Sequence, residues 1–180
     1  MAVCVIGAGA WGTTVASILT HHSDVKIWAR RPDLAAAISD GTNPAYLKGF
    51  PLPRMTGTSV LEEAVKGAEA VFLAVPSHGF RDVLTHLASH IAADLPLISL
   101  SKGIEGTSRM RMTEVISDVL PDHDPRVVGV ISGPNLADVE HAAAAIEQIA
   151  YQCPIELRRL WGEQDTAFYA TLPFTLGLRT

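Results

Sequence analysis

A doubly wound α/β fold, with a mainly parallel sheet and helices on both faces, is predicted by two features of this 180-residue sequence. Short apolar runs alternate with amphipathic segments along most of the chain, which is the pattern of strand–helix–strand units. The first apolar run leads directly into a glycine-rich turn that opens a helix. Right-handed crossovers between such units place successive strands parallel in one sheet.

The strands are predicted from short apolar runs, which suit strands covered on both faces. They lie at Ala2–Ile6, Val25–Ala29, Ala70–Val75, Pro96–Leu100 and Arg126–Ile131. Helices are predicted between them, at Trp11–His21, Asp33–Asp40, Val60–Lys66, His78–Ala92 and Ser108–Leu120. The fourth helix carries an apolar stripe at helical spacing, formed by Phe80, Val83, Leu84, Leu87 and Ile91. Gly41–Thr58 holds three prolines and three glycines and is predicted to be a loop.

The composition indicates a compact folded protein and narrows the function classes. Apolar residues make up 48% and charged residues 18%. A net charge of −5 argues against a general nucleic-acid binder. No run approaches the roughly 20 apolar residues of a membrane helix, and no signal peptide is evident. Cys4, Cys153 and the histidines show no metal-ligand spacing, so we expect no metal and a reduced, cytoplasmic compartment.

Gly7, Gly9 and Gly12 form a GxGxxG motif between the first strand and the first helix, as in a Rossmann-like dinucleotide-binding loop. Gly7 would allow the tight turn, Gly9 the approach of a pyrophosphate to the backbone, and Gly12 close packing of helix on strand. The helix N-terminus would supply free N–H groups and partial positive charge to the phosphates. The alternative is a tight turn of purely structural value.

The end of the second predicted strand bears on the choice of cofactor. An acidic residue there would bind the ribose hydroxyls of NAD, but this chain has Arg30 and Arg31. Two guanidinium groups can pair with the 2′-phosphate of NADP. Asp33 lies near enough in sequence to reach a ribose. NADP is therefore slightly favoured, and NAD stays open.

Six segments together resemble the bacterial NAD(P)-dependent glycerol-3-phosphate dehydrogenases over residues 2 to 145. They are GAGAWGTTVA, NPAYLKGFPLP, AVPSHGFRDVL, SLSKGIE, MRMTEVISDVLP and SGPNLA, in this order along the chain. The resemblance implies hydride transfer between dihydroxyacetone phosphate and sn-glycerol 3-phosphate, for glycerophospholipid synthesis. It also implies an N-terminal dinucleotide domain followed by a helical C-terminal domain, with the substrate between them.

The same resemblance assigns site residues by motif. In addition to Gly7, Gly9 and Gly12 of the glycine motif, it implies cofactor contacts at Ala10, Trp11, Arg30, Lys102 and Ala137, with Arg31 as a neighbour. It implies substrate contacts at Lys102, Gly133 and Asn135. From the residues themselves, Lys102 lies just past a predicted strand, where its ammonium group could polarise a carbonyl. A surface lysine in a loop is the alternative.

Beyond residue 145 the sequence departs from the family pattern. We expect an NAD(P)-binding domain at 1–145 and a divergent, partly helical tail at 146–180, without the complete helical domain of the family. The family's proton-donor lysine follows the nucleotide domain, whereas this chain has no lysine after Lys102. A truncated, rearranged or frameshifted product would look like this, and so would a real short protein.

Three functions remain open at this stage. The first is the cofactor domain of a glycerol-3-phosphate dehydrogenase, binding cofactor without appreciable turnover. The second is a non-catalytic dinucleotide-binding module or remnant. The third is a different two-domain dehydrogenase, against which SKGIE and SGPN argue. We also expect exposed apolar surface at the far edge of the sheet, which would lead either to self-association into homo-oligomers or to folding that needs a partner, but no membrane or nucleic-acid partner.

Overall fold

The computed structural model describes residues 1–131, and residues 132–180 lie outside the described part. Eight strands are described: β1 (Ala2–Ile6), β2 (Asp24–Trp28), β3 (Thr42–Asn43), β4 (Leu47–Pro51), β5 (Thr56–Thr58), β6 (Ala70–Leu73), β7 (Leu97–Ser99) and β8 (Val128–Val130). Five α-helices alternate with them: α1 (Ala10–Leu19), α2 (Pro32–Ser39), α3 (Leu61–Val65), α4 (Ser77–Leu87) and α5 (Met112–Val119).

Six of these strands form one parallel sheet in the order β5-β2-β1-β6-β7-β8. The chain winds outward from β1 in one direction as far as β5, then returns to β6 on the other side of β1 and winds the opposite way. The order of winding therefore reverses between β1 and β6. Ligands of open α/β sheets bind in the crevice at this reversal, outside the carboxyl ends of the strands. The predicted doubly wound fold is confirmed.

The two faces of the sheet are covered by different helices. Alternate residues of β1 point to opposite faces, so Val3 and Val5 join one apolar cluster while Cys4 and Ile6 join the other. The first cluster includes buried residues of α1 and α2, and the second includes those of α3, α4 and α5. Burying each large apolar side chain contributes roughly 1.5–3 kcal/mol. These two apolar layers hold the strands whose carboxyl ends carry the loops.

The predicted apolar stripe of the fourth helix is confirmed. Phe80, Leu84 and Leu87 are buried, and Val83 and Ile91 pack partly buried against the same cluster. The helix itself ends at Leu87 and continues as a 3-10 turn over Ala88–His90. It is therefore shorter than the predicted His78–Ala92.

The prediction that Gly41–Thr58 is a loop is wrong. β5 joins the main sheet beside β2 as its sixth strand, and β3 and β4 pair as a small antiparallel hairpin. Gly57 of β5 has the backbone of Ala35 so close that an added Cβ would lie 2.9 Å from its carbonyl carbon. This glycine allows α2 to pack tightly on the strand, so here glycine marks a close contact and not a turn.

The fifth helix begins at Met112, four residues later than the predicted Ser108. Ile104 and Arg111 form an isolated antiparallel bridge, and Arg109 has a φ of +61°. Residues in these conformations cannot belong to a right-handed α-helix. The last strand is also shorter than predicted, since Pro125–Val127 forms a 3-10 turn before β8.

Cys4 is a core residue, as predicted, and burial raises the pKa of its thiol to about 12. Cys153, the predicted tail helices and the domain boundary at 145 all lie outside the described residues. In the part of the chain that the structure describes, no helix has both the length and the apolar character needed to cross a membrane.

Candidate functional site

Two glycines of the loop between β1 and α1 are required by packing. Gly7 has a φ of +116°, and a Cβ there would lie 2.6 Å from the carbonyl oxygen of Ala74. A Cβ on Gly12 would overlap the carbonyl oxygen of Gly7 and lie 2.9 Å from Cβ of Ala74. Any side chain at either position would push α1 away from the ends of β1 and β6. Both glycines therefore have the structural roles that the motif predicted.

Gly9 differs from its two neighbours, since a Cβ there would meet nothing within 4 Å. It is the N-cap of α1, and no side chain caps this helix end. Among the described residues, none accepts a hydrogen bond from the N–H groups of Gly9, Ala10 or Trp11. Free N–H groups at a helix N-terminus, beside a glycine with no atoms near its Cβ position, are the arrangement that binds a phosphate.

Trp11 lies at the start of α1, half-buried, with its ring packed against the apolar cluster beneath the helix. Its indole Nε1 is buried and, within residues 1–131, has no hydrogen-bond partner. A buried donor without a partner is uncommon because it costs free energy. Trp11 therefore lies next to the glycine loop with a donor that no described residue engages.

The two arginines after β2 are in different states. Arg31 pairs with Asp33, its Nε lying 3.1 Å from Oδ1, and the pairing raises the pKa of Arg31 and lowers that of Asp33. Arg30 is exposed and takes part in none of the ion pairs of the described region. From the residues alone, both arginines were candidates for a 2′-phosphate. In the structure they differ, since Arg31 is already paired with Asp33 and Arg30 has no ion-pair partner in the described region.

Lys102 lies exposed in the loop after β7, at the same edge of the sheet. The preceding Ser101 donates its hydroxyl to the backbone carbonyls of Leu73, at 3.2 Å, and Val75. Gly103, with a φ of +93°, turns the chain away after the lysine. Since Gly7 packs against Ala74, the glycine loop and the Lys102 loop flank the same end of β6.

An ion-pair cluster that the sequence did not predict supports the Lys102 loop. Arg81 of α4 donates to both carboxylate oxygens of Glu105, from Nε at 2.8 Å and from Nη2 at 2.9 Å. Arg81 also pairs with Asp118 of α5, and Ser108 donates to Glu105. The Glu105 side chain is only 10% exposed, and the hydrogen bonds from Arg81 and Ser108 lower its pKa to about 2. The loop is thereby tied to two helices.

Asn43, the last residue of β3, was also missed as a site residue. Its side chain is fully buried and donates from Nδ2 to the carbonyl oxygen of Ala8, at 3.1 Å, and to Oγ1 of Thr13, at 2.8 Å. Its Oδ1 accepts from the N–H of Tyr46 at 3.1 Å. The only sequence signal was its place in the NPAYLKGFPLP segment, because the two acceptors of its Nδ2 hydrogens lie thirty or more positions away.

The structure thus brings the glycine loop, the arginines after β2 and Lys102 to one edge of the sheet. Gly133, Asn135 and Ala137, the other predicted contacts, lie outside the described residues. In the described range, no group of three or more His, Cys, Asp or Glu side chains could hold a metal ion. The arrangement suits an anionic, extended ligand that crosses the N-terminus of α1.

Comparison with known proteins agrees with this geometry. The family model described as "NAD-dependent glycerol-3-phosphate dehydrogenase N-terminus" matches residues 2–154. A glycerol-3-phosphate dehydrogenase [NAD(P)+] 2 of Sphingopyxis alaskensis is 43% identical over 161 residues, which cover 88% of this chain and 47% of the relative. A glycerol-3-phosphate dehydrogenase [NAD(P)+] of Leifsonia xyli is 48% identical over 135 residues, covering 73% of this chain and 36% of that protein.

Solved structures of glycerol-3-phosphate dehydrogenases share this fold. The crystal structure of glycerol-3-phosphate dehydrogenase from Coxiella burnetii superposes with a TM-score of 0.68 at 28% identity, covering 81% of this chain and 43% of that one. The chain therefore spans about half the length, or less, of these known proteins.

Proposed function

Because this chain belongs to the NAD-dependent glycerol-3-phosphate dehydrogenase family through its N-terminal domain, we propose that it binds NADP or NAD along the carboxyl edge of its sheet. The observation that carries the proposal is the contrast among the three loop glycines. Gly7 and Gly12 are closed by packing, while Gly9 faces open space next to unpaired N–H groups. A pyrophosphate fits this cradle because it needs backbone donors and no intervening Cβ.

The adenosine end of the cofactor would lie near the end of β2. Arg30 is exposed there and would pair with a 2′-phosphate, which slightly favours NADP. A 2′-phosphate would have to compete with Asp33 for Arg31, since the two side chains are already paired. In NAD, Asp33 itself would remain as an acceptor for the ribose hydroxyls. Both cofactors are therefore compatible with this part of the site.

The substrate of the proposed reaction is dihydroxyacetone phosphate or, in reverse, sn-glycerol 3-phosphate. Bound NAD(P) supplies the hydride or accepts it. The Lys102 ammonium would neutralise charge that develops on the carbonyl oxygen, or bind the phosphate group. Gly133 and Asn135 are proposed on the substrate side, and Ala137 on the cofactor side. The proposed role is to supply glycerol phosphate for phospholipid synthesis. We place the protein in the cytoplasm, as a homo-oligomer without membrane or nucleic-acid partners.

Titration of the 180-residue chain with NADPH and NADH, with and without dihydroxyacetone phosphate, tests this proposal. We expect saturable binding of at least one cofactor, followed by fluorescence of the reduced nicotinamide. Absence of binding to either would overturn it. Binding that dihydroxyacetone phosphate leaves unchanged would favour a non-catalytic dinucleotide module. We expect no appreciable turnover by these 180 residues. The resemblance implies a proton-donor lysine after the nucleotide domain, and this sequence has no lysine after Lys102. Loss of one general acid lowers a reaction rate about 10²- to 10⁴-fold.

The preference between NADPH and NADH is tested by replacing the positive charge of Arg30 with a negative one. Arg30→Asp should weaken NADPH binding about tenfold or more, while NADH binding changes little, because only NADPH carries the 2′-phosphate. Arg31→Ala is the matched comparison and should have a smaller effect, since Arg31 is already paired with Asp33. Equal losses for NADPH and NADH in Arg30→Asp would remove the assignment of Arg30 to the 2′-phosphate.

A further inference from the structure

We propose that Asn43 is a positioning residue for the pyrophosphate loop, acting through the peptide group between Ala8 and Gly9. The proposal rests on the cofactor binding proposed above and assigns a role to a residue outside the glycine motif. Asn43 belongs to the crossover between β2 and β5, and its side chain reaches back to the loop after β1.

Both the nitrogen and the oxygen of the Asn43 side-chain amide form hydrogen bonds. Nδ2 gives one hydrogen to the Ala8 carbonyl and the other to Thr13, and Oδ1 accepts from Tyr46 N–H. These bonds fix the orientation of the amide group, since exchanging its oxygen and nitrogen would break them. The residue is fully buried, so water cannot replace any of its partners.

Fixing the Ala8 carbonyl also fixes the donor on the other side of the same peptide. The peptide is planar and trans, so the Gly9 N–H points opposite to the Ala8 C=O. The carbonyl is held toward the buried Asn43, and the N–H of Gly9 is therefore turned away from it. The first helical hydrogen bond runs from Thr13 N–H to the carbonyl of Gly9, at 2.9 Å, which leaves the Ala8 carbonyl to Asn43.

The peptide between Ala8 and Gly9 needs this external support, because the close packing of the loop is at Gly7 and Gly12 and not at Gly9. Gly9 has no side chain to contact, and α1 has no side-chain cap at this end. Without Asn43, the peptide between residues 8 and 9 could rotate, and its N–H would no longer be held in one direction. A preorganised donor is what gives a phosphate site its affinity, because no ordering is then needed on binding.

Asn43→Ala tests the proposal through two ligands. ADP-ribose contains the pyrophosphate, whereas adenosine 2′-monophosphate carries only the adenosine end and its 2′-phosphate. We expect Asn43→Ala to weaken ADP-ribose and NADPH about tenfold, as loss of one well-placed hydrogen bond implies. Its affinity for adenosine 2′-monophosphate should change by less than about twofold. The amide resonance of Gly9 should also move in the unliganded variant, as measured by NMR.

The matched control is Ser39→Ala in the same crossover. It removes a side-chain hydrogen bond to backbone, from Gly57 N–H at 2.8 Å, without touching the glycine loop. All measurements are made at a temperature where circular dichroism shows each variant folded. Ser39→Ala should bind ADP-ribose as the wild type does. Equal ADP-ribose affinity in Asn43→Ala and the wild type would overturn the proposal, as would an equal loss in Ser39→Ala.

A second variant keeps the test open if Asn43→Ala does not fold. Thr13→Val removes the acceptor of the other Nδ2 hydrogen while keeping the branched shape of the side chain. It should weaken ADP-ribose about threefold, and Thr13→Ser should restore the affinity; unchanged affinity in Thr13→Val would overturn the proposal. Failure of the wild-type chain to bind NADPH or NADH would instead overturn the proposed function, so the two failures are distinct.

Discussion

The two loops that flank the end of β6 are held by different forces. The glycine loop is fixed by close packing at Gly7 and Gly12 and by hydrogen bonds from the uncharged Asn43 amide. The Lys102 loop is fixed by charge and hydrogen bonds, through Arg81, Glu105 and Ser101. Packing depends weakly on pH, whereas an ion pair depends on the protonation of its carboxylate. The same sheet edge therefore combines a glycine loop whose support is insensitive to pH with a Lys102 loop whose support is sensitive to it.

The largest expected effect breaks the glycine loop at its packed position. Gly12→Ala should destabilise the protein by about 3 kcal/mol or more, because the new Cβ overlaps the Gly7 backbone and crowds Ala74. Gly9→Ala is the matched variant, since its Cβ meets nothing within 4 Å and its φ of −70° suits alanine. It should cost less than about 1 kcal/mol of unfolding free energy and yet weaken cofactor binding.

Urea unfolding and NADPH titration of both variants check this pair. Gly12→Ala should lose unfolding free energy, whereas Gly9→Ala should lose affinity for NADPH. Comparable stability losses in the two variants would contradict the distinction between packed and open glycines.

The next effect breaks the Lys102 loop at its ion pair. Arg81→Ala leaves the nearly buried Glu105 without its main partner, and its melting temperature should fall by several degrees. The glycine loop has no contact with this pair, so the amide resonances of residues 7 to 12 should stay in place while those near Lys102 move. Resonance changes in both loops would show that the two are not held independently.

The ion pair also predicts a dependence on pH. Hydrogen bonds from Arg81 and Ser108 lower the folded-state pKa of Glu105 from 4.5 to about 2. Its contribution to stability is complete above pH 4.5 and is lost as the pH falls toward 2, because the unfolded chain binds the proton first. The difference in melting temperature between wild type and Glu105→Gln should therefore shrink over this range. A difference that stays constant from pH 6 to pH 3 would contradict the assigned pKa.

The smallest expected effect concerns the hydroxyl that joins the Lys102 loop to β6. Ser101→Ala removes the hydrogen bonds to the carbonyls of Leu73 and Val75 and should cost about 1 kcal/mol. Chemical denaturation measures this loss, and Ser117→Ala is a suitable control, since its hydroxyl bonds only within α5. A loss in Ser101→Ala no larger than in the control would show that the loop does not depend on this contact.

The sequence predicted the features of this edge that depend on local pattern. The first strand, the glycine turn and the helix after it are adjacent in sequence, so their residue types are sufficient to recognise them. β5 was missed because Gly57 indicated a turn, whereas in the structure this glycine makes room for the backbone of Ala35 in α2. Asn43 and the Arg81–Glu105 pair were missed for the same reason, since each polar side chain finds its partner across the fold. The pairing of Arg31 with Asp33 was not predicted, although the two residues are close in sequence.

The central position of β1 has a consequence for how the protein is made. Val3 pairs with Val25 on one side but with Ala70 on the other, so one flank of the first strand waits for residues synthesised much later. At about 5–20 residues per second, that delay lasts several seconds. During it, the apolar segment Val3–Ile6 has an unsatisfied edge on the nascent chain. The pairing of β1 with β6 therefore forms later than the pairing of β1 with β2 can form.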